Sequence, residues 1–157
     1  MPSIHKPNLV AAGVRRYLLS FGMSVLPCSG MRVQLLRLCG VSIGKGCYVG
    51  FNVMPDTNYP YMINIGNDVT ISHGCSLITH TQTPASAAKL STYFNKVDKI
   101  QIHDGAWIGM HSVILPGADI QQDCMIGAGS VVPSMTTLPN SVYAGNPIKF
   151  KKHIDIN

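Results

Sequence analysis

Aliphatic side chains recur every six residues along most of this chain. Ile102, Ile108, Ile114, Ile120, Ile126 and Val132 form one run, Ile65, Ile71 and Leu77 another, and Ile43 and Val49 an earlier one. Glycine often follows the aliphatic, as at Gly44, Gly50, Gly66, Gly109 and Gly127. Two residues before each late aliphatic stand Ile100, Ala106, Ser112, Ala118, Cys124 and Ser130, small apart from the first; Cys47 and Cys75 hold the same place earlier. Side chains alternate faces along a strand, so inward positions two apart mark short strands. The period fits neither an α-helix nor a heptad coil. It fits a triangular solenoid with three short strands per turn, its aliphatics stacked in columns and its small residues at the tight bends. Chance spacing is the competing explanation, and eleven aliphatics in three phased runs argue against it. Each buried Ile or Val contributes roughly 1.5–3 kcal/mol before entropy is subtracted. A single turn is not stable alone, whereas stacked turns bury one continuous core.

The period breaks twice, with 16 residues from Val49 to Ile65 and 25 from Leu77 to Ile102. The second break takes the chain out of the coil from about 78 to 99. Departures from a rigid scaffold are where binding and catalysis concentrate. Ahead of the repeats, Leu9–Met23 is predicted helical, and Met31–Leu38 is a second short helix with Arg32 and Arg37 on its polar side. Pro27 and Gly30 separate them. After the repeats comes a turn-rich exit from Pro139 to Pro147, then Lys149, Lys151 and Lys152. The expected organisation is a helical segment over 1–40, a coil domain over 41–148 and a basic tail over 149–157.

The chain's 157 residues suffice for one compact domain, and 12% charged against 46% hydrophobic residues favours an ordered protein. The net charge of +5 suits an anionic partner. The basic residues form no nucleic-acid module, and a phosphorylated cofactor explains the charge as well. Cys28, Cys39, Cys47, Cys75 and Cys124 make no CxxC pair and no zinc spacing, so they are read as reduced thiols of a cytoplasmic protein. No stretch is long enough to span a membrane. The apolar run Tyr17–Pro27 resembles a secretion signal, but Pro27 before Cys28 and the interruptions at Ser20, Gly22 and Ser24 argue against one.

From about Val41 to Lys152 the chain resembles the hexapeptide-repeat acyltransferases, and most of all their galactoside, maltose and polysaccharide O-acetyltransferase branch. The motifs are Ile43-Gly-Lys-Gly, Ile65-Gly-Asn-Asp, Trp107-Ile-Gly, Ile114-Leu-Pro-Gly, Ile126-Gly-Ala-Gly-Ser-Val-Val and Ala144-Gly-Asn-Pro. The resemblance implies a mainly β fold, a left-handed parallel β-helix with an excursion loop, assembled as a homotrimer with acetyl-CoA and acceptor between adjacent prisms. It implies transfer of an acetyl group from acetyl-CoA to a hydroxyl of a sugar or polysaccharide precursor, without an acyl-enzyme and without a metal.

His80, at the start of the excursion, matches the family's general base. A hydroxyl attacking a thioester gains from a base that works near neutrality, and histidine is that residue type. The plain alternative is a loop histidine without a role. His73, His103 and His111 are weaker candidates on outer surfaces. Asn52 and Asp56 match acceptor contacts, although Pro55-Asp56-Thr57-Asn58 is also good turn chemistry. Trp107, Gly109, Gly127, Ala128 and Ser130 match places where the family lays the pantetheine arm, and small residues there also suit tight corners. Lys149 and Lys152 match basic positions near the adenosine phosphates, or form a solvated tail. The segment before the repeats is shorter than in the sugar-acetylating members and closer to enzymes that decorate surface polysaccharides. Its apolar, arginine-bearing helix suits a membrane surface, but packing on the coil is expected. Transfer to an amino group is the alternative within the enzyme class. A zinc hydratase on the same scaffold would need three histidines to converge. A non-catalytic scaffold would not bind acetyl-CoA.

Overall fold

The inward alternation read from the sequence becomes strands of two or three residues, and the chain visits three parallel sheets in rotation. The structure, a computed structural model, describes residues 9–90 and 95–155. Residues 1–8 of the expected helical segment, 91–94 of the expected loop and 156–157 of the expected tail lie outside the described residues.

One sheet stacks β1 (Ser42–Ile43), β4 (Ile63–Ile65), β9 (Ile100–Ile102) and β12 (Asp119–Ile120). The second stacks β2 (Tyr48–Val49), β5 (Thr70–Ile71), β10 (Trp107–Ile108) and β13 (Met125–Ile126), and the third β3 (Met54–Pro55), β6 (Ser76–Leu77), β11 (Val113–Ile114) and β14 (Val131–Val132). Register puts like positions above one another: Ile43 over Ile65, Ile102 and Ile120; Val49 over Ile71, Ile108 and Ile126; Leu77 over Ile114 and Val132. These side chains and the small Ala106, Ser112, Ala118, Cys124 and Ser130 form a buried axis. The fold is mainly β with two helices.

Pro55 pairs in register with Leu77, so it is a third hexad position after Ile43 and Val49. The first break therefore falls after Pro55, where the turn at Asp56 and a short 3-10 turn, Pro60–Met62, leave the coil. In the longer excursion, β7 (His80–Thr81) pairs antiparallel with β8 (Lys96–Val97).

Helices α1 (Leu9–Val25) and α2 (Ser29–Leu38) cover one end of the coil. α1 buries Ala12, Leu19 and Met23 and turns Val10, Val14, Tyr17 and Phe21 outward. Arg32, expected on a polar face, is instead 2% exposed. Its Nε donates to the Val49 carbonyl at 2.8 Å, and its guanidinium lies 4.1 Å from the Phe51 ring centre. A helix end lying across open strands meets carbonyls that need donors, and a buried guanidinium supplies them. No helix among the described residues is long and apolar enough to cross a membrane.

The stretch read as a basic tail folds further than that. β15 (Ser141–Ala144) adds to the second sheet, and β16 (Lys149–His153) pairs antiparallel with it.

Candidate active site

The two insertions meet. Asp56 follows β3 and His80 follows β6, strands that are neighbours in the third sheet, so consecutive turns bring residues 24 apart into contact. His80 Nδ1 bonds Asp56 Oδ2. That oxygen also accepts from Thr79 N at 3.0 Å and Thr79 Oγ1 at 2.7 Å. Asp56 Oδ1 accepts from the backbone N–H groups of Asn58 at 2.9 Å and Tyr59 at 3.3 Å. One oxygen thus closes the turn read from the sequence, and the other holds the imidazole. Burial raises the Asp56 carboxyl, but the bonds from His80, Thr79 and the Asn58 amide outweigh it and hold the pKa below the ordinary value. The carboxylate is ionised at neutral pH and can only accept, so His80 Nδ1 carries the hydrogen.

On the other side of the ring, Asn58 Nδ2 lies 3.1 Å from His80 Nε2. An amide NH2 donates and does not accept, so Nε2 offers its lone pair. Tyr59 stands edge-on to the imidazole, ring centres 5.3 Å apart. His80 side-chain exposure is 23% against 2% for Asp56, so the imidazole reaches solvent while the carboxylate does not. A cleft of about 380 Å³ opens here, walled by Met54, Pro55, Leu77 and Ile78, with Arg16 and Ser20 of α1 on its rim.

Asp56, expected to touch the acceptor, has both oxygens hydrogen-bonded within the chain, one of them to His80. Asn52 is not among the cleft residues. It occupies a left-handed corner (φ 56°) after β2, and its Oδ1 accepts from Ser24 Oγ at 2.7 Å. Asn58, Thr79, Tyr59, Arg16 and Ser20 were not singled out from the sequence. The turn motif carrying Asn58 was the one available signal.

The residues expected at the donor divide into two groups. Ser130 is fully buried, donates to the Gly127 carbonyl at 2.6 Å and accepts from Gly145 N at 3.1 Å. Its hydroxyl is therefore committed to bonds inside the coil. A Cβ on Gly109 would lie 2.5 Å from Ala128 N, and one on Gly127 2.8 Å from Ala144 Cβ, so turn-to-turn packing alone requires both glycines. Trp107, Ala128, Lys149 and Lys152 are exposed. Tyr48, Thr70, Trp107, Met125, Val142 and Lys152 form one row across the second sheet. At normal strand spacing, Trp107 and Lys152 are about 14 Å apart along it. A bulge leaves Lys151 without a partner, so Lys149 stands opposite Ala144 and Lys152 opposite Val142. Both lysines consequently share the Trp107 face, which unbroken alternation would forbid. Among the described residues, the two clefts lined by His80 do not include Trp107, which lies on the second sheet while His80 lies on β7.

His73 and His103 have partners elsewhere. Tyr48 Oη lies 3.2 Å from His73 Nε2, and Asp119 Oδ1 lies 2.9 Å from His103 Nε2. Among the described residues no three His, Cys, Asp or Glu side chains are grouped to hold a metal ion. Burial pushes the thiols of Cys75 and Cys124 up, which keeps them protonated.

Residues 99–134 match the bacterial transferase hexapeptide family (six repeats). Over 126 residues the chain is 37% identical to a Staphylococcus aureus (strain COL) relative, covering 68% of this chain and 63% of that one. It is 32% identical over 120 residues to the galactoside O-acetyltransferase of Lactococcus lactis, covering 73% of this chain and 54% of the relative. The chain thus spans less than two-thirds of the length of these relatives. A hexapeptide-repeat acetyltransferase of Vibrio cholerae, solved with acetyl coenzyme A, is 18% identical and superposes with a TM-score of 0.64 over 94% of this chain and 90% of that one.

Proposed function

The chain belongs to the hexapeptide-repeat transferase family, and on that premise we propose that it moves an acetyl group from acetyl-CoA to a hydroxyl of a sugar or polysaccharide precursor, with His80 as general base. The observation that carries this is the pair of contacts on the His80 ring, Nδ1 on the buried Asp56 carboxylate and Nε2 on the Asn58 amide, which together favour a hydrogen on Nδ1 and a lone pair on Nε2. An acceptor hydroxyl takes the place of the Asn58 amide at Nε2. As its oxygen attacks the thioester carbonyl, Nε2 accepts the hydroxyl proton and Asp56 stabilises the imidazolium. When the carbon–sulfur bond breaks, the same proton passes to the departing CoA sulfur. The charge developing on the carbonyl oxygen calls for a donor N–H.

The pantetheine arm lies along the row from Trp107 to Lys152, with Lys149 and Lys152 as point charges at the phosphates. Because that row and His80 occupy different edges of one chain, the donor of one subunit meets the base of another. The arrangement is a homotrimer of left-handed parallel β-helices with a site in each cleft between prisms, and Asn52, in the corner between β2 and β3, contacts the acceptor from there. Thiol release from acetyl-CoA in a screen of sugar acceptors tests the reading. His80→Ala is expected to lower turnover about 10²–10⁴-fold while CoA binding persists. Undiminished turnover would remove His80 from the chemistry.

A further inference from the structure

Two adjacent arginines of α1 have different fates. Arg15 Nε donates to the Thr57 carbonyl at 3.0 Å and fastens the helix to the coil. Arg16 is exposed and lines the cleft into which His80 opens, and among the described residues its guanidinium has no hydrogen-bond or ion-pair partner. Ser20 lies one helical turn further on and lines the same cleft. The rim is held in place, because Ser24 Oγ donates to Asn52 Oδ1 at 2.7 Å and Asn52 N to the Met23 carbonyl at 3.0 Å.

Among the described residues lining the cleft, Asp56 is the one carboxylate and both its oxygens are occupied, whereas Arg16 is the one Lys or Arg. Arg15, Arg32 and Arg37 are instead engaged with backbone carbonyls. A guanidinium offers two parallel N–H groups, the fork that fits a carboxylate or a phosphate.

We infer that Arg16 and Ser20 form an anion subsite, so the acceptor taken by this cleft carries a carboxylate or phosphate beside the hydroxyl that receives the acetyl group. The inference rests on the acetyl-transfer reading and narrows its substrate class to anionic saccharides. Its test is calorimetric titration of the CoA-saturated protein with glucose, glucuronate and glucose 6-phosphate, which needs no turnover. At least one of the two anions should bind about tenfold tighter than glucose. Arg16→Gln should erase that preference, Arg16→Lys should keep part of it, and added salt should weaken the anion alone. Whichever anion gains more identifies the group as carboxylate or phosphate. Equal affinity for all three sugars, or a preference intact in Arg16→Gln, would overturn the subsite. Failure of acetyl transfer is separate: it would appear as no thiol released from acetyl-CoA with any of the three, whatever the titration gives.

Discussion

Asp56 is where a single residue decides most. Its carboxylate takes the imidazole as a donor at Nδ1 and so leaves a lone pair on Nε2, where the proposed reading puts the acceptor hydroxyl. Asp56→Asn presents an amide that can turn its NH2 toward the ring and impose the opposite tautomer. The variant is expected to lose about 10²–10⁴-fold in kcat with unchanged affinity for CoA; kinetics and calorimetry on the same preparation check it. The depressed carboxyl pKa also has a stability consequence. Asp56 contributes stability that is complete above the ordinary carboxyl value of 3.8 and disappears as pH falls through the lower folded-state value. Denaturant unfolding from about pH 6 to about pH 3 should show a loss in the wild-type protein that is smaller in Asp56→Asn. Equal slopes would mean the carboxylate is not held by these bonds.

Among the elements, the turns of the coil are coupled by close approach. Ile108 is fully buried between Ile71 and Ile126, so Ile108→Ala should cost about 2–5 kcal/mol and lower the denaturant midpoint accordingly. Gly109→Ala adds only a methyl, yet it would lie 2.5 Å from the backbone N of Ala128, which cannot swing aside as a side chain can. A loss of about 1–3 kcal/mol is expected, comparable with overpacking elsewhere. An unchanged midpoint would show that the turns can slide apart. Arg32 illustrates the same coupling at the helical end, where α2 is tied to the coil through the Val49 carbonyl. Its side chain sits inside because strand carbonyls there lack donors, a fact the helical pattern of α2 does not contain.

At the scale of the whole molecule, the proposed donor row and the proposed base stand on different sheets of one chain. Shared sites make a specific prediction. His80→Ala and Trp107→Ala subunits, each weak alone, should regain thiol release when co-refolded, because mixed trimers contain sites with an intact histidine from one subunit and an intact tryptophan from the other. Recovery no greater than the sum of the separate variants would place both residues in the same subunit's site. Native mass spectrometry of the mixture checks that hybrids have formed.

The hexad pattern was legible without coordinates because it is a local rule repeated: the same two inward positions on every short strand, satisfied again each time the chain comes round. The columns from Ile43 to Ile120 and from Leu77 to Val132 and the excursion after Leu77 follow from that rule or from its interruption, whereas the candidacy of His80 also needed the family resemblance. Pro55 escaped because proline does not look like a core aliphatic, which misplaced the first break. What the sequence left open is which interruptions touch. Asp56 and His80 meet because their strands are stacked neighbours, and Lys149 and Lys152 share a face because Lys151 bulges from the ladder. Both depend on how successive turns register against one another, an energy spread over many distant contacts rather than written in any one stretch of chain.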